Sequence, residues 1–152
     1  KYPKTPERDE ELAREAGATI LWRPDYEQIY PVNFLKLSAG VIGESFEGVS
    51  RPGHFDGVVT VVNRLFELVQ PRYAIFGEKD FQQLFVIRQM SALHHPEIEI
   101  IGAPTVRENS GLALSSRNVR LSSSGMKTAR VISQALHSAE SAESVKIGRA
   151  HV

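Results

Sequence analysis

Cysteine does not occur among the 152 residues, and its absence removes disulfides, thiolate zinc sites and cysteine nucleophiles together. A surplus of charge is missing too: eighteen lysines and arginines balance eighteen aspartates and glutamates. Without the basic face that nucleic acid or an anionic membrane requires, any bound anion needs a local site. Apolar runs are broken by charges well short of the ~18 residues a membrane span needs, and the amino end KYPKTPERDEELAREAG is too charged for a signal peptide. The motifs G-x-G-x-x-G, G-x-x-x-x-G-K-S/T and G-x-S-x-G are all absent, so dinucleotide, P-loop and hydrolase readings lack their markers. His94 and His95 are adjacent and point to different helix faces, while His137 and His151 stand apart; no histidine metal site is expected. A cytoplasmic protein without nucleic-acid or membrane partners fits these absences.

What is present, 41% hydrophobic and 24% charged residues, suits one globular domain or part of one. The chain opens without methionine in the lead-in to a helix, which suggests a piece of a longer protein. Thr5 is placed to cap a helix starting at Pro6, with Glu7, Asp9, Glu10 and Glu11 near the positive end of its dipole and Gly17 as its stop. TILW (residues 19–22) reads as a short buried strand, PDYEQIYP as a turn or single helical turn between Pro24 and Pro31, and NFLKLSAG (33–40) as another strand. From Phe55 to Gln70, the residues Val58, Val59, Val62, Leu65, Phe66 and Val69 recur at threes and fours, the mark of a helix burying one face. Pro71 ends it. YAIFG then reads as a buried strand, Asp80 to His95 as a second amphipathic helix through Leu84, Ile87, Arg88, Met90 and Leu93, and EIEIIGA as a further strand. This alternation predicts an α/β fold, an open parallel sheet flanked by helices. After Pro104 a polar loop leads to a helix from about Gly125 to Ser138. The closing SAESAESVKIGRAHV is assigned to no core element.

In open parallel sheets, ligands sit beyond the carboxyl ends of strands, where helix amino termini point their N–H groups. GEKD lies at such an end. Gly77 lets a ligand approach the backbone and Lys79 is a mobile cation on the same loop. Asp80 and Gln83 are spaced as a capping box, which would account for both without a ligand, and Lys79 alone could equally be a solvated surface lysine. LSSRN (114–118) groups two hydroxyls, a fixed cation and an amide, a set suited to phosphate oxygens, although a serine-rich turn explains it as well. In SRPGHF, Arg51 and His54 precede a helix and Gly53 permits a sharp turn; a helix start would explain that histidine.

Taken together and in this order, RPGHFDGVVTVVNRLFELVQP, FGEKDFQQL and GLALSSRN closely resemble the pantothenate synthetase (pantoate-beta-alanine ligase) family. The resemblance runs from about Tyr2 to the helix after Asn118 and fades beyond about Ser138. It implies a Rossmann-like fold of the nucleotidyltransferase superfamily, here incomplete: residues 1–118 as a partial nucleotide-binding domain, and 119–152 as the start of a small carboxy-terminal domain with an irregular tail. It implies ATP-dependent condensation of (R)-pantoate with beta-alanine through pantoyl adenylate, with Mg2+, in a homodimer. Gly77, Glu78, Lys79, Asp80, Val106, Leu114, Ser115, Ser116 and Arg117 are the implied ATP contacts, of which Lys79, Ser115, Ser116 and Arg117 are the implied catalytic groups. Gln83 is the implied pantoate contact, and Arg51 and His54 resemble part of the active-site rim. No residue here is implied as a metal ligand. The family's His-x-Gly-His-type motif, its other pantoate glutamine and its acidic magnesium site have no counterpart in this sequence. An internal piece, inactive or nearly so alone, is therefore the expectation. Two alternatives differ in class: a non-catalytic Rossmann-like binding or oligomerisation module, and a nucleotidyltransferase activating another small carboxylate. Gln83 and the FGEKDFQQL run count against the latter.

Overall fold

The computed structural model describes residues 5–140; the last twelve residues of the closing stretch lie outside them. Two compact units divide the described residues, one of residues 7–104 and one of residues 105–140 with residues 5 and 6.

In the first unit, α1 (Pro6–Glu15) stops where the sequence places its stop. The Ala18 N–H bonds the Ala13 carbonyl and the Gly17 N–H that of Arg14, with Gly17 at φ +85°, the paired bonds of a Schellman end. The proline-bounded segment makes one helical turn, α2 (Tyr26–Ile29). Two more single turns, α3 (Gly40–Glu44) and α4 (Glu47–Ser50), lead into α5 (His54–Val69). Then follow β1 (Tyr73–Gly77), α6 (Phe81–His94) and β2 (Glu99–Ala103).

The strands β1 and β2 pair in parallel, from Tyr73 with Glu99 to Gly77 with Ala103, and α6 is the connection such a pair requires. The expected α/β architecture is what the unit adopts. Its core is the seam of the two long helices: Phe55, Val59, Val62 and Phe66 of α5 against Val86, Ile87 and Met90 of α6, with Ile98. Ala74, Phe76 and Ile100 close the seam from the sheet, while Tyr73 and Ile75, at alternate positions, stay exposed. Each fully buried side chain of this size stabilises by roughly 1.5–3 kcal/mol. A polar tie crosses the seam where the buried His95 Nε2 lies 2.9 Å from Asn63 Oδ1.

Several expectations are corrected. Residues 19–22 form no strand, and Ile20 is 84% exposed; the described sheet has only two strands, so no ladder reaches them. Residues 33–40 are no strand either, because side chains of α5 take the place of a neighbouring strand. Thr60 Oγ1 accepts the Leu37 N–H at 2.9 Å and donates to the Leu37 carbonyl, and Asp56 Oδ1 accepts the Ala39 N–H at 2.7 Å. Leu93 and Val69, placed on buried stripes by spacing, are mostly exposed, since each sits near the end of its helix beyond the seam.

In the second unit a short antiparallel bridge pairs Arg107 with Ala113. Gly111 turns it at φ +86° and packs so close to α7 (Ser123–Glu140) that a Cβ there would stand 2.7 Å from Ser133 Oγ. A 3-10 turn over Ser116–Arg120 joins the two.

Candidate functional site

The apolar run of β1 ends at Gly77, and Glu78–Asp80 make a single 3-10 turn before α6 opens at Phe81. The capping box expected of Asp80 and Gln83 does not form: Asp80 makes no side-chain cap bond. Its carboxylate instead takes the Lys79 ammonium, with Nζ 3.0 Å from Oδ1 and 3.2 Å from Oδ2. A 3-10 turn feeding straight into the helix explains the difference, since it reorients the Asp80 backbone to φ −99°, ψ 62°, away from the extended geometry a capping residue uses. Gly77 has φ −73°, and a Cβ built on it would meet nothing within 4 Å. Packing among the described residues therefore does not require glycine there. Gln83 stands half-buried on the first turn of α6.

Gly102 of β2, beside this turn, was not singled out by sequence. A Cβ there would lie 3.1 Å from Arg88 Nη2, 3.2 Å from Glu78 Oε1 and 3.2 Å from Leu84 Cδ2. The space over this glycine is bounded by the ends of the Glu78 and Arg88 side chains and by the buried Leu84. A glycine inside a strand pattern is the signal that could have found it.

Arg51 and His54 lie on the segment entering α5. The Arg51 guanidinium bonds Glu47 Oε1 at 2.6 Å, Gly53 turns the chain at φ +72°, and the His54 ring stands 4.9 Å from that of Phe55. Gln82, also unremarked in the sequence, ties this segment to the helix bearing Gln83. Its Nε2 donates to the carbonyls of Ile42 (2.7 Å) and Ser45 (2.8 Å), and its Oε1 accepts the Glu47 N–H at 3.1 Å.

The second unit gathers Val106 and Leu114 to Arg117 by itself. The Leu114 N–H donates to the Val106 carbonyl at 2.9 Å, placing these two distant residues side by side. Ser115 Oγ caps the 3-10 turn by accepting the Arg117 N–H at 3.2 Å, and a hydroxyl so used still has its proton to donate. Asn118 Nδ2 anchors the turn on the Ala113 carbonyl at 3.0 Å. Arg117 and Ser116 are exposed, and among the described residues the Arg117 guanidinium has no carboxylate partner.

Chemically, each unit presents donors suited to anionic oxygens: an ammonium on the 77–80 turn, and a guanidinium with two hydroxyls on the 114–117 turn. Among the described residues no group of three or more His, Cys, Asp or Glu could hold a metal ion. The donor set of these residues thus does not fit Mg2+ by itself. Nor is any described helix long and apolar enough to cross a membrane.

Residues 1–151 match the family model described as pantoate-beta-alanine ligase. The pantothenate synthetase of Rhizorhabdus wittichii is 49% identical over 142 residues, which cover 93% of this chain and 50% of the relative. That of Thermus thermophilus is 51% identical over 138 residues, covering 90% of this chain and 50% of the relative. The crystal structure of the Thermus thermophilus protein matches with a TM-score of 0.82 at 50% identity, over 90% of this chain and 50% of that one. The pantoate-beta-alanine ligase of Francisella tularensis, solved in complex with beta-gamma ATP and beta-alanine, matches with a TM-score of 0.80 at 37% identity, over 90% of this chain and 53% of that one. The chain spans about half the length of the curated relatives it matches.

Proposed function

The chain belongs to the pantoate-beta-alanine ligase family, and from that premise we propose that it serves the ATP-dependent condensation of (R)-pantoate with beta-alanine to pantothenate. A pantoate carboxylate oxygen attacks the α-phosphorus of ATP, the bond to the bridging oxygen breaks, and pyrophosphate leaves. The beta-alanine amine then attacks the acyl carbon of the pantoyl adenylate, losing a proton as AMP departs. Such phosphoryl chemistry is mainly positioning and stabilisation of oxygen charge. Lys79, Arg117, Ser115 and Ser116 are the groups we assign to the phosphate oxygens. Gly77, Glu78, Asp80, Val106 and Leu114 are assigned as further ATP contacts, Gln83 as the pantoate contact, and Arg51 and His54 as the rim.

The observation that carries this reading is the 77–80 turn: a lysine at the carboxyl end of a parallel strand, next to a glycine that packing does not require. The relative solved with beta-gamma ATP and beta-alanine supports the same substrates. Mg2+ accompanies the ATP phosphates in this proposal, and the described residues offer no cluster that would hold it by themselves. A homodimer, a cytoplasmic location, and a division into a nucleotide-binding part (1–118) and the start of a second domain (119–152) complete the proposal.

Exchange of labelled pyrophosphate into ATP, by the protein carrying this chain, tests the reading. Exchange is expected only when pantoate is present; exchange with other small carboxylates but not with pantoate contradicts it.

A further inference from the structure

Phe46 is one of three described non-glycine residues of the first unit with a positive φ, with Asn33 and Gln70. It has φ +50° and ψ −114°, a conformation that costs a non-glycine residue of order 1–3 kcal/mol unless its surroundings impose it, and its side chain is 81% exposed. Packing of the phenyl ring therefore does not hold it. Beside the bend's own backbone bonds, from the Gly48 N–H to the Ser45 carbonyl and from the Val49 N–H to the Phe46 carbonyl, the long-range contacts on it come from Gln82, whose amide bonds the Ser45 carbonyl before Phe46 and the Glu47 N–H after it, and the Ile42 carbonyl one turn earlier. Glycine supports the same bend: a Cβ on Gly48 would stand 2.0 Å from the Gly43 carbonyl oxygen, so α3 and α4 meet backbone to backbone. The bent segment carries Glu47, which holds Arg51. Gln82 belongs to the first turn of α6, between Asp80 and Gln83.

We propose that Gln82 is a positioning residue that couples the two parts of this unit's site. By clamping the strained bend at Phe46 it fixes the segment bearing Arg51 to the turn of Gly77–Gln83, so that a nucleotide ordering the turn also orders residues 42–51. This rests on the reading of the turn as an ATP contact. Nothing in the coupling requires Gln82 to touch a substrate; it acts through backbone groups 35 to 40 positions away in sequence. Coupling of this kind is reciprocal, so loosening the bend must weaken nucleotide binding by the same factor.

Amide hydrogen exchange of the chain with and without ATP tests this. In the unaltered chain, ATP is expected to slow exchange in residues 77–83 and also in residues 42–51, the latter about fivefold or more, the lower end of ordinary coupling between sites. In Gln82→Met the protection of 77–83 should survive, that of 42–51 should vanish, and the ATP dissociation constant should rise by about the same factor. Should the methionine variant fail to fold, Gln82→Glu keeps the acceptor for Glu47 but has no donor for the two carbonyls, and the same loss is expected. ATP-dependent protection of 42–51 persisting in a folded variant overturns the proposal, as does simultaneous loss of protection at 77–83, which would indicate a merely structural residue. If ATP leaves 77–83 unprotected in the unaltered chain, the reading of the turn falls, and the coupling with it.

Discussion

Lys79 and Asp80 form an adjacent ion pair whose side chains are 36% and 57% exposed, and a pair so placed contributes about 0–1 kcal/mol at most, less in salt. Replacing the lysine should therefore separate chemistry from stability. Lys79→Ala is expected to leave the unfolding midpoint of the protein nearly unchanged while slowing adenylate formation by roughly two to three orders of magnitude, the usual loss for one positioned donor. Pyrophosphate exchange and thermal unfolding, measured on the same preparation, check both halves. Two glycines offer a matching contrast. Gly77→Ala meets no atom within 4 Å and should fold as before, with its effect confined to ATP affinity. Gly102→Ala drives a methyl against Leu84, Arg88 and Glu78 and should destabilise by about 1–3 kcal/mol, as overpacking does. Denaturant unfolding distinguishes them; equal stability loss in both would contradict this account of the turn.

Elements were legible in the sequence where their determinants are local. The helix α5 announces itself through Val59, Val62 and Phe66, and β1 through an apolar run bounded by Pro71 and Gly77, because periodicity and punctuation are written in neighbouring residues. Residues 33–40 were misread for the opposite reason. Their apolar character suggests a strand, yet their backbone bonds go to Thr60 and Asp56, 23 and 17 positions away, and no pattern within the segment records such partners. Gln82 escaped notice likewise, since a glutamine beside Gln83 looks like any polar helix residue until its distant carbonyl partners are known. The Asp80 spacing misled by mimicry: it satisfies the capping-box pattern while its carboxylate goes to Lys79. On the candidate site, the residues of 77–83 and of 114–117 can each be read as a group from sequence, because each is contiguous. One consequence belongs to this scale. Thr60→Val keeps the shape of a buried residue but removes both bonds to Leu37, and should cost about 1–3 kcal/mol. Denaturant unfolding should register it, together with faster amide exchange at Leu37.

Taken whole, the described chain exposes apolar surface that its own elements do not cover. Ile20 is 84% exposed, Val32 92% and Ile75 67%, and both strands of the two-stranded sheet have an unpaired edge among the described residues, a recognised liability for association. Concentration-dependent self-association is expected in sedimentation velocity, and Ile75→Lys, which places a charge on the outward face of β1, should reduce it; an unchanged distribution would contradict this. The proposal rests on the 77–83 turn and the 114–117 turn each contacting ATP. Equilibrium titration of ATP into the chain, into Lys79→Ala and into Arg117→Ala tests it most directly. The account expects saturable binding by the unaltered chain and at least about tenfold weaker binding by each variant, a difference of ~1.4 kcal/mol. ATP binding with equal affinity to all three, or to none, would contradict it.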